Sequence, residues 1–340
     1  MAVITYLVHY YLFECEFIIM GSQKTTIRSI EQLEKDVSNN DPSAMYELGQ
    51  RLYLGNGTNQ DIGRSVELTK KAAEMGNPAA EYTFGYFCCY GIGVPIDKMA
   101  AIRWYRRSAN QGYVEAQYGL GYMCDVGEGV KINKMEAAKW YHLASAQGHS
   151  GAQCNLGNLY HNGWGVRLDK EEAFRLFSLS ADGGNPDALF NMARMLETGD
   201  GIPRNDELAF ACYQAAARTG EPTMVYNLAM KYLSGNGVKQ DTVLASRMMT
   251  VAAEGGHIEA QCRIGLMYVN GIGVETDVAK GITYLIKAAH SWNPEAICNL
   301  GLLHLVGNGF EQDERKGIGL LKLASELGSS EADKALRSLI

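Results

Sequence analysis

The chain has 340 residues, 46% of them hydrophobic and 20% charged, a balance that belongs to folded rather than disordered chains. Its net charge is −7, and the nearest thing to a basic cluster is RWYRR at 103–107, which argues against an electrostatic surface for nucleic acid or an anionic membrane. The eight cysteines lack the short, even spacing of a small disulfide-stapled secreted domain.

The first segment, MAVITYLVHYYLFECEFIIM at 1–20, is mostly apolar but has neither the positive start nor the small-residue cleavage site of a signal peptide. As a membrane span it would have to bury Glu14 and Glu16, at a few kcal/mol each. Three readings stay open: an added helix or tail, a poor membrane anchor, or sequence upstream of a start at Met20. In the last case MGSQKT fits a myristoylation pattern. Membrane contact is expected only if 1–20 acts as an anchor. Residues 21–40 follow as an N-terminal capping helix, with Ile27, Ile30, Leu33 and Val37 at rough helical spacing.

From 41 to 328 the chain repeats itself. Gly-x-Gly occurs at 55/57, 91/93, 127/129, 163/165, 199/201, 235/237, 271/273 and 307/309, each step being 36 residues. No copy continues into a nucleotide-binding Gly-x-Gly-x-x-Gly or Gly-Lys-Ser/Thr, so the glycines mark a repeated turn rather than a phosphate loop. Each repeat predicts two helices. Helix A, about 42 to 54 in the first copy, ends at Gly-x-Gly because glycine enters the left-handed region cheaply. An Asp/Asn column (Asp61, Asp97, Asn133, Asp169, Asn205, Asp241, Asp277, Asp313) sits where helix B needs its N-cap. Helix B carries a small pair such as Ala72-Ala73 or Ser108-Ala109 and closes on a glycine at 76, 112, 148, 184, 220, 256 and 328, with Trp292 the exception. Pro42, Pro78, Pro186, Pro222 and Pro294 open helix A, where a missing N–H costs nothing. A glycine or alanine inside helix A (Gly49, Gly85, Gly121, Gly157, Ala193, Ala229, Gly265, Gly301) implies close approach of another helix, expected to be the small pair of helix B. The last segment, 329–340, starts as a further helix A with Ala332 and Leu336 in register and then stops, as a C-terminal capping helix would.

This layout, for example AQYGLGYMCDVGEGVKINKMEAAKWYHLASAQGH at 116–149, resembles the SEL-one-like repeat family, relatives of the tetratricopeptide repeats, over eight copies. The resemblance implies an all-α, right-handed superhelical α-solenoid of eight 36-residue helix-turn-helix repeats with capping helices, acting as an adaptor or scaffold. It also implies that helix A lines the concave face. Two columns are expected to point to that face, giving Tyr46, Tyr82 and Tyr118 in the first half and Asn155, Asn191, Asn227 and Asn299 in the second; Tyr86 and Tyr122, four residues after Tyr82 and Tyr118, share the helical face. Tyrosine offers contact area at low entropy cost, and asparagine pairs with the backbone of an extended peptide. Both residue types are usual in these columns of the family, so fixing the repeat's own geometry is the competing explanation.

One branch of the family bridges the two helices of every repeat with a disulfide; this chain has no repeat with the two-cysteine pattern, and its cysteines read as small buried hydrophobes. The histidines are scattered without His-x-x-x-His, no Cys-x-x-Cys or Gly-x-Ser-x-Gly occurs, and no cofactor, metal or catalytic residue is expected. The expectation is therefore a non-catalytic adaptor binding a protein or extended peptide, with no nucleic acid. The alternative is a weak β-lactamase-like hydrolase or small-ligand binder using a pocket in the superhelix. A cytoplasmic location is expected, with a membrane-anchored or secretory one if 1–20 directs it.

Overall fold

The computed structural model describes residues 28–339; the segment 1–20 and Ile27 lie outside the described residues. Eighteen helices and no strand are present among the described residues, an all-α solenoid. They are α1 (Ile30–Ser38), α2 (Pro42–Leu54), α3 (Ile62–Glu74), α4 (Pro78–Tyr90), α5 (Lys98–Asn110), α6 (Val114–Val126), α7 (Lys134–Ala146), α8 (Ser150–Asn162) and α9 (Lys170–Asp182). They continue as α10 (Pro186–Thr198), α11 (Asp206–Ala217), α12 (Pro222–Ser234), α13 (Thr242–Glu254), α14 (Ile258–Asn270), α15 (Val278–His290), α16 (Pro294–Val306), α17 (Glu314–Glu326) and α18 (Ser330–Ser338). From α2 to α17, even numbers are helix A and odd numbers helix B.

Local chemistry sets every boundary. Each Asp or Asn of the predicted column accepts a hydrogen bond from the backbone N–H three residues on, satisfying an amide that the first helical turn leaves free. Each helix A stops at the first glycine of its pair, in the left-handed region at φ between 68° and 80°. The five prolines occupy the first turn of their helices. Trp292 takes φ 60° where seven other repeats place glycine.

Contacts divide the chain into two units, one reaching Met123 and including Gly127–Lys131, the other comprising Cys124–Val126 and everything from Ile132. In the first, α1 buries Leu33 completely and is tied down by ion pairs, Arg28 to Glu47 at 2.6 Å and Arg64 to Glu34 at 2.6 Å. In the second, α18 closes the last core cluster by laying Ala332 and Leu336 over Ile297, Leu321 and Ala324.

The glycine inside helix A does meet helix B of its own repeat, but not at the small pair. A Cβ on Gly85 would stand 2.8 Å from the Tyr105 ring and 3.2 Å from Ala101 O; one on Gly157 would stand 2.7 Å from Phe177; one on Gly265 would stand 2.9 Å from Gly281 O. The helices are antiparallel, so a glycine near the middle of helix A faces the middle of helix B. The small pairs, late in helix B, instead face the start of helix A: Ser108 Oγ donates to Pro78 O at 2.6 Å and Ser180 Oγ to Ser150 O at 2.7 Å.

Candidate functional site

The predicted tyrosines fall in the first unit. Tyr46 on α2, Tyr82 and Tyr86 on α4, and Tyr118 and Tyr122 on α6 are all half-buried. Much of their surface is engaged within the fold. Thr83 Oγ1 donates to Tyr46 OH at 3.4 Å, Tyr82 stacks on Tyr105 with centroids 5.2 Å apart, and Tyr86 lies 4.6 Å from Tyr90.

The four asparagines fall in the second unit, also half-buried, and are not equivalent. Asn155 donates to Tyr141 OH at 3.1 Å and Asn191 to Asn158 Oδ1 at 3.1 Å. Asn227 and Asn299 donate back to the carbonyls of Thr223 and Glu295, at 2.8 and 2.7 Å on their own helices. That bond occupies one donor and leaves each carboxamide oxygen to accept. Neighbouring A helices are also joined by Lys231 to Glu197 at 2.5 Å and by Arg263 Nε to Tyr226 OH at 3.2 Å. Part of this polar lattice therefore fixes the spacing of the repeats.

Asn191 borders a cavity of about 200 Å³ between α8 and α10. Its floor is Phe177 and Met195, both almost fully buried. Its polar lining includes Asn158, His161, Arg194 and Asp200. The Asp200 carboxylate is shared by two donors, Lys170 Nζ and, at 2.8 Å, His161 Nε2. The hydrogen bond from Lys170, with the one from His161, holds its carboxyl below the usual carboxylate range. Thr198, also in the lining, donates its hydroxyl to Arg194 O at 2.8 Å.

A model of the Sel1 repeat matches residues 42–77, 78–113, 114–149, 150–185, 186–220, 224–257, 258–291 and 294–329. The chain belongs to the Sel1-repeat family. Among solved structures it is similar to c5321, described as a protective antigen present in uropathogenic Escherichia coli strains displaying an SLR fold. There the TM-score is 0.81 at 31% identity, covering 92% of this chain and 67% of that one. It is also similar to a Sel1 repeat protein from Oxalobacter formigenes, with TM-score 0.67 and 26% identity over 95% of this chain and 93% of that one. No curated protein matches the chain.

This Sel1-repeat protein keeps Cys88, Cys89, Cys124, Cys154, Cys212, Cys262 and Cys298 buried and unbridged. Burial pushes the thiols up, to about 12 for Cys154 and Cys262 and about 11 for Cys89, which disfavours the reactive thiolate. Among the described residues no group of three or more His, Cys, Asp or Glu is arranged to hold a metal, and no helix is long and apolar enough to cross a membrane. Asn158, His161, Arg194 and Asp200 escaped the sequence reading. A signal for two of them exists: Asn158 and Arg194 stand one and two repeats after Tyr122, in the column that contains Tyr86 and Tyr122.

Proposed function

We propose that the chain is a non-catalytic adaptor that holds an extended segment of a partner protein against its helix A faces. The contacts are Tyr46, Tyr82, Tyr86, Tyr118 and Tyr122 in one unit and Asn155, Asn191, Asn227 and Asn299 in the other. The observation that carries the reading is the cavity between α8 and α10, where Asn191 and Asn158 sit half-buried above an apolar floor. Amides that are oriented but not saturated suit the alternating donors and acceptors of a peptide backbone. Membership of the Sel1-repeat family supports the same role.

The His161–Asp200 contact gives the hydrolase alternative its best foothold, but a hydrolase also needs a nucleophile or an activated water held by the base. The one hydroxyl named in that lining, Thr198, is turned to its own helix, and Asp200 is divided between Lys170 and His161. Affinity capture from the native host with mass spectrometry supplies the partner, and calorimetry of that partner against Asn191→Ala and Tyr118→Ala tests the reading. At least one substitution is expected to weaken binding about tenfold, the loss of one good contact. Tight binding that both variants leave unchanged refutes the groove.

A further inference from the structure

The cavity between α8 and α10 is unlike the rest of the helix A face in one respect: it holds a cation with nothing to pair with. Arg194 is exposed on α10 and has no carboxylate within ion-pair distance among the described residues; its guanidinium lies 6.0 Å from the centre of the Phe190 ring. The Asp200 carboxylate across the cavity is already shared between Lys170 and His161. Arg194 is thus left without a carboxylate of its own, on a chain whose net charge is −7. The amide pair adds to this excess of donors. Because Asn191 Nδ2 donates to Asn158 Oδ1, the carboxamide nitrogen of Asn158 is left as a donor at the same cavity.

The repeat then supplies a direction. In the register of Asn158 and Arg194, the next three A helices place Met230, Leu266 and Leu302. Met230 and Leu266 are half-buried, with one side packed against the core clusters of their repeats, and Leu302 is 37% exposed. Neighbouring packed helices lie about 10 Å apart, and an extended chain advances about 3.3 Å per residue, so one repeat spans about three residues of ligand.

We propose that the second unit recognises an extended segment bearing a carboxylate, seated between Arg194 and Asn158, followed by apolar side chains at about every third residue that lie over Met230, Leu266 and Leu302. This rests on the adaptor reading and names the chemistry of its partner. The planar guanidinium takes a carboxylate through two parallel hydrogen bonds, and the Asn158 amide supplies a third. The carboxylate is that of an acidic side chain; a chain terminus presents the same two oxygens, and the test separates the two.

The test uses the full chain and acetylated peptides of about ten residues, with leucine at every third position. One set carries a terminal Asp with an amidated end, one replaces that Asp by Asn, and one carries Asn with a free terminal carboxylate; each is made in both sequence directions. Binding is read from the side-chain amide resonances of Asn158 and Asn191 and from the Arg194 Nε–H signal. At least one carboxylate peptide is expected to shift these signals, binding about tenfold or more tightly than its neutral counterpart, with the advantage lost in Arg194→Gln. The Asp arm and the free-terminus arm then tell the two sources apart. Arg194 makes no ion pair in the fold, so this variant is expected to fold normally, which an unchanged spectrum away from α8 and α10 confirms. Equal binding of charged and neutral peptides, or a carboxylate advantage that survives Arg194→Gln, overturns the proposal and leaves the adaptor reading standing. Signals unmoved by every peptide overturn the proposal, and only a captured partner that also leaves α8 and α10 untouched removes the adaptor reading of this unit with it.

Discussion

Replacing Gly265 with alanine measures the close approach on which each repeat is built. Gly265 on α14 and Gly281 on α15 face each other backbone to backbone. A Cβ on Gly265 would stand 2.9 Å from Gly281 O and 2.9 Å from Leu285 Cγ, and one on Gly281 would stand 2.6 Å from Gly265 O. Ordinary contact begins at 3.4 Å, so Gly265→Ala asks the two helices to part by about 0.5 Å at a carbonyl that cannot swing away. Overpacking of this kind costs about 1–3 kcal/mol, and alanine returns about 1 kcal/mol of helix propensity, leaving a net loss of about 0–2 kcal/mol. Gly319 on α17 is the control. It is helical and exposed, and an added Cβ meets nothing within 4 Å, so Gly319→Ala keeps the full gain of about 1 kcal/mol. The two variants should therefore differ by about 1–3 kcal/mol and in opposite directions or nearly so. Denaturant unfolding followed by amide exchange in α14 and α15 reads the difference locally, as a solenoid does not unfold as one unit by necessity. Equal shifts of the same sign in Gly265→Ala and Gly319→Ala would refute the packing argument.

Trp292 occupies a left-handed position at φ 60° with 65% of its surface exposed, where Gly256 and Gly328 serve the neighbouring repeats; Trp292→Gly should raise stability by about 1 kcal/mol, seen as a melting temperature a few degrees higher, and a lower one would mean the indole makes a contact worth more than the strain. Glu81 stands in a column where Gln117, Gln153 and Gln261 donate to the carbonyl eight residues back. A carboxylate cannot do that, and Arg107 instead donates to Ala73 O at 3.5 Å while lying 2.8 Å from Glu81 Oε1. Burial raises the Glu81 carboxyl above its ordinary 4.5, outweighing Arg107 and Gln111, so this group favours the fold most below pH 4.5 and progressively less as pH rises through its folded value. Glu81→Gln should add up to about 1 kcal/mol at pH 7 and little at pH 4.5, measured by denaturant unfolding at both; a loss at pH 7 would show that the Arg107 pair outweighs the burial cost.

The helices and their limits were legible because most boundaries are short-range chemical events, an Asp or Asn side chain on an amide or a glycine past a carbonyl, recurring every 36 residues. The face that Gly265 meets was not legible. Which turn of helix B lies opposite depends on the length and path of the Gly-x-Gly loop, and the small pair was the wrong turn. The buried charge of Glu81 was also invisible, because a glutamate at helical spacing reads as a solvated residue until Arg107 and Gln111 are seen to enclose it. The cavity at Arg194 was not legible because the column of Tyr86 and Tyr122 changes residue type at Asn158 and again at Arg194.

Recognition in a repeat chain resides where one repeat differs from the next. A residue type that recurs along a column answers a demand that recurs with it, and the structure shows such demands: Tyr46 taking the hydroxyl of Thr83, Arg263 reaching Tyr226. Side chains used this way set the distance between helices and have less left for a ligand. The register of Gln50, Tyr86, Tyr122, Asn158, Arg194, Met230, Leu266 and Leu302 answers no common demand, because amide, phenol, cation and hydrocarbon cannot satisfy the same neighbour. It still lies on helix A, and within the second unit it changes in one step from polar to apolar. A face that must only be soluble gains nothing from Leu302 left 37% exposed, and one that must only be packed gains nothing from an unpaired Arg194. Both make sense together if the face is finished by a second chain that brings the missing carboxylate and the missing hydrocarbon.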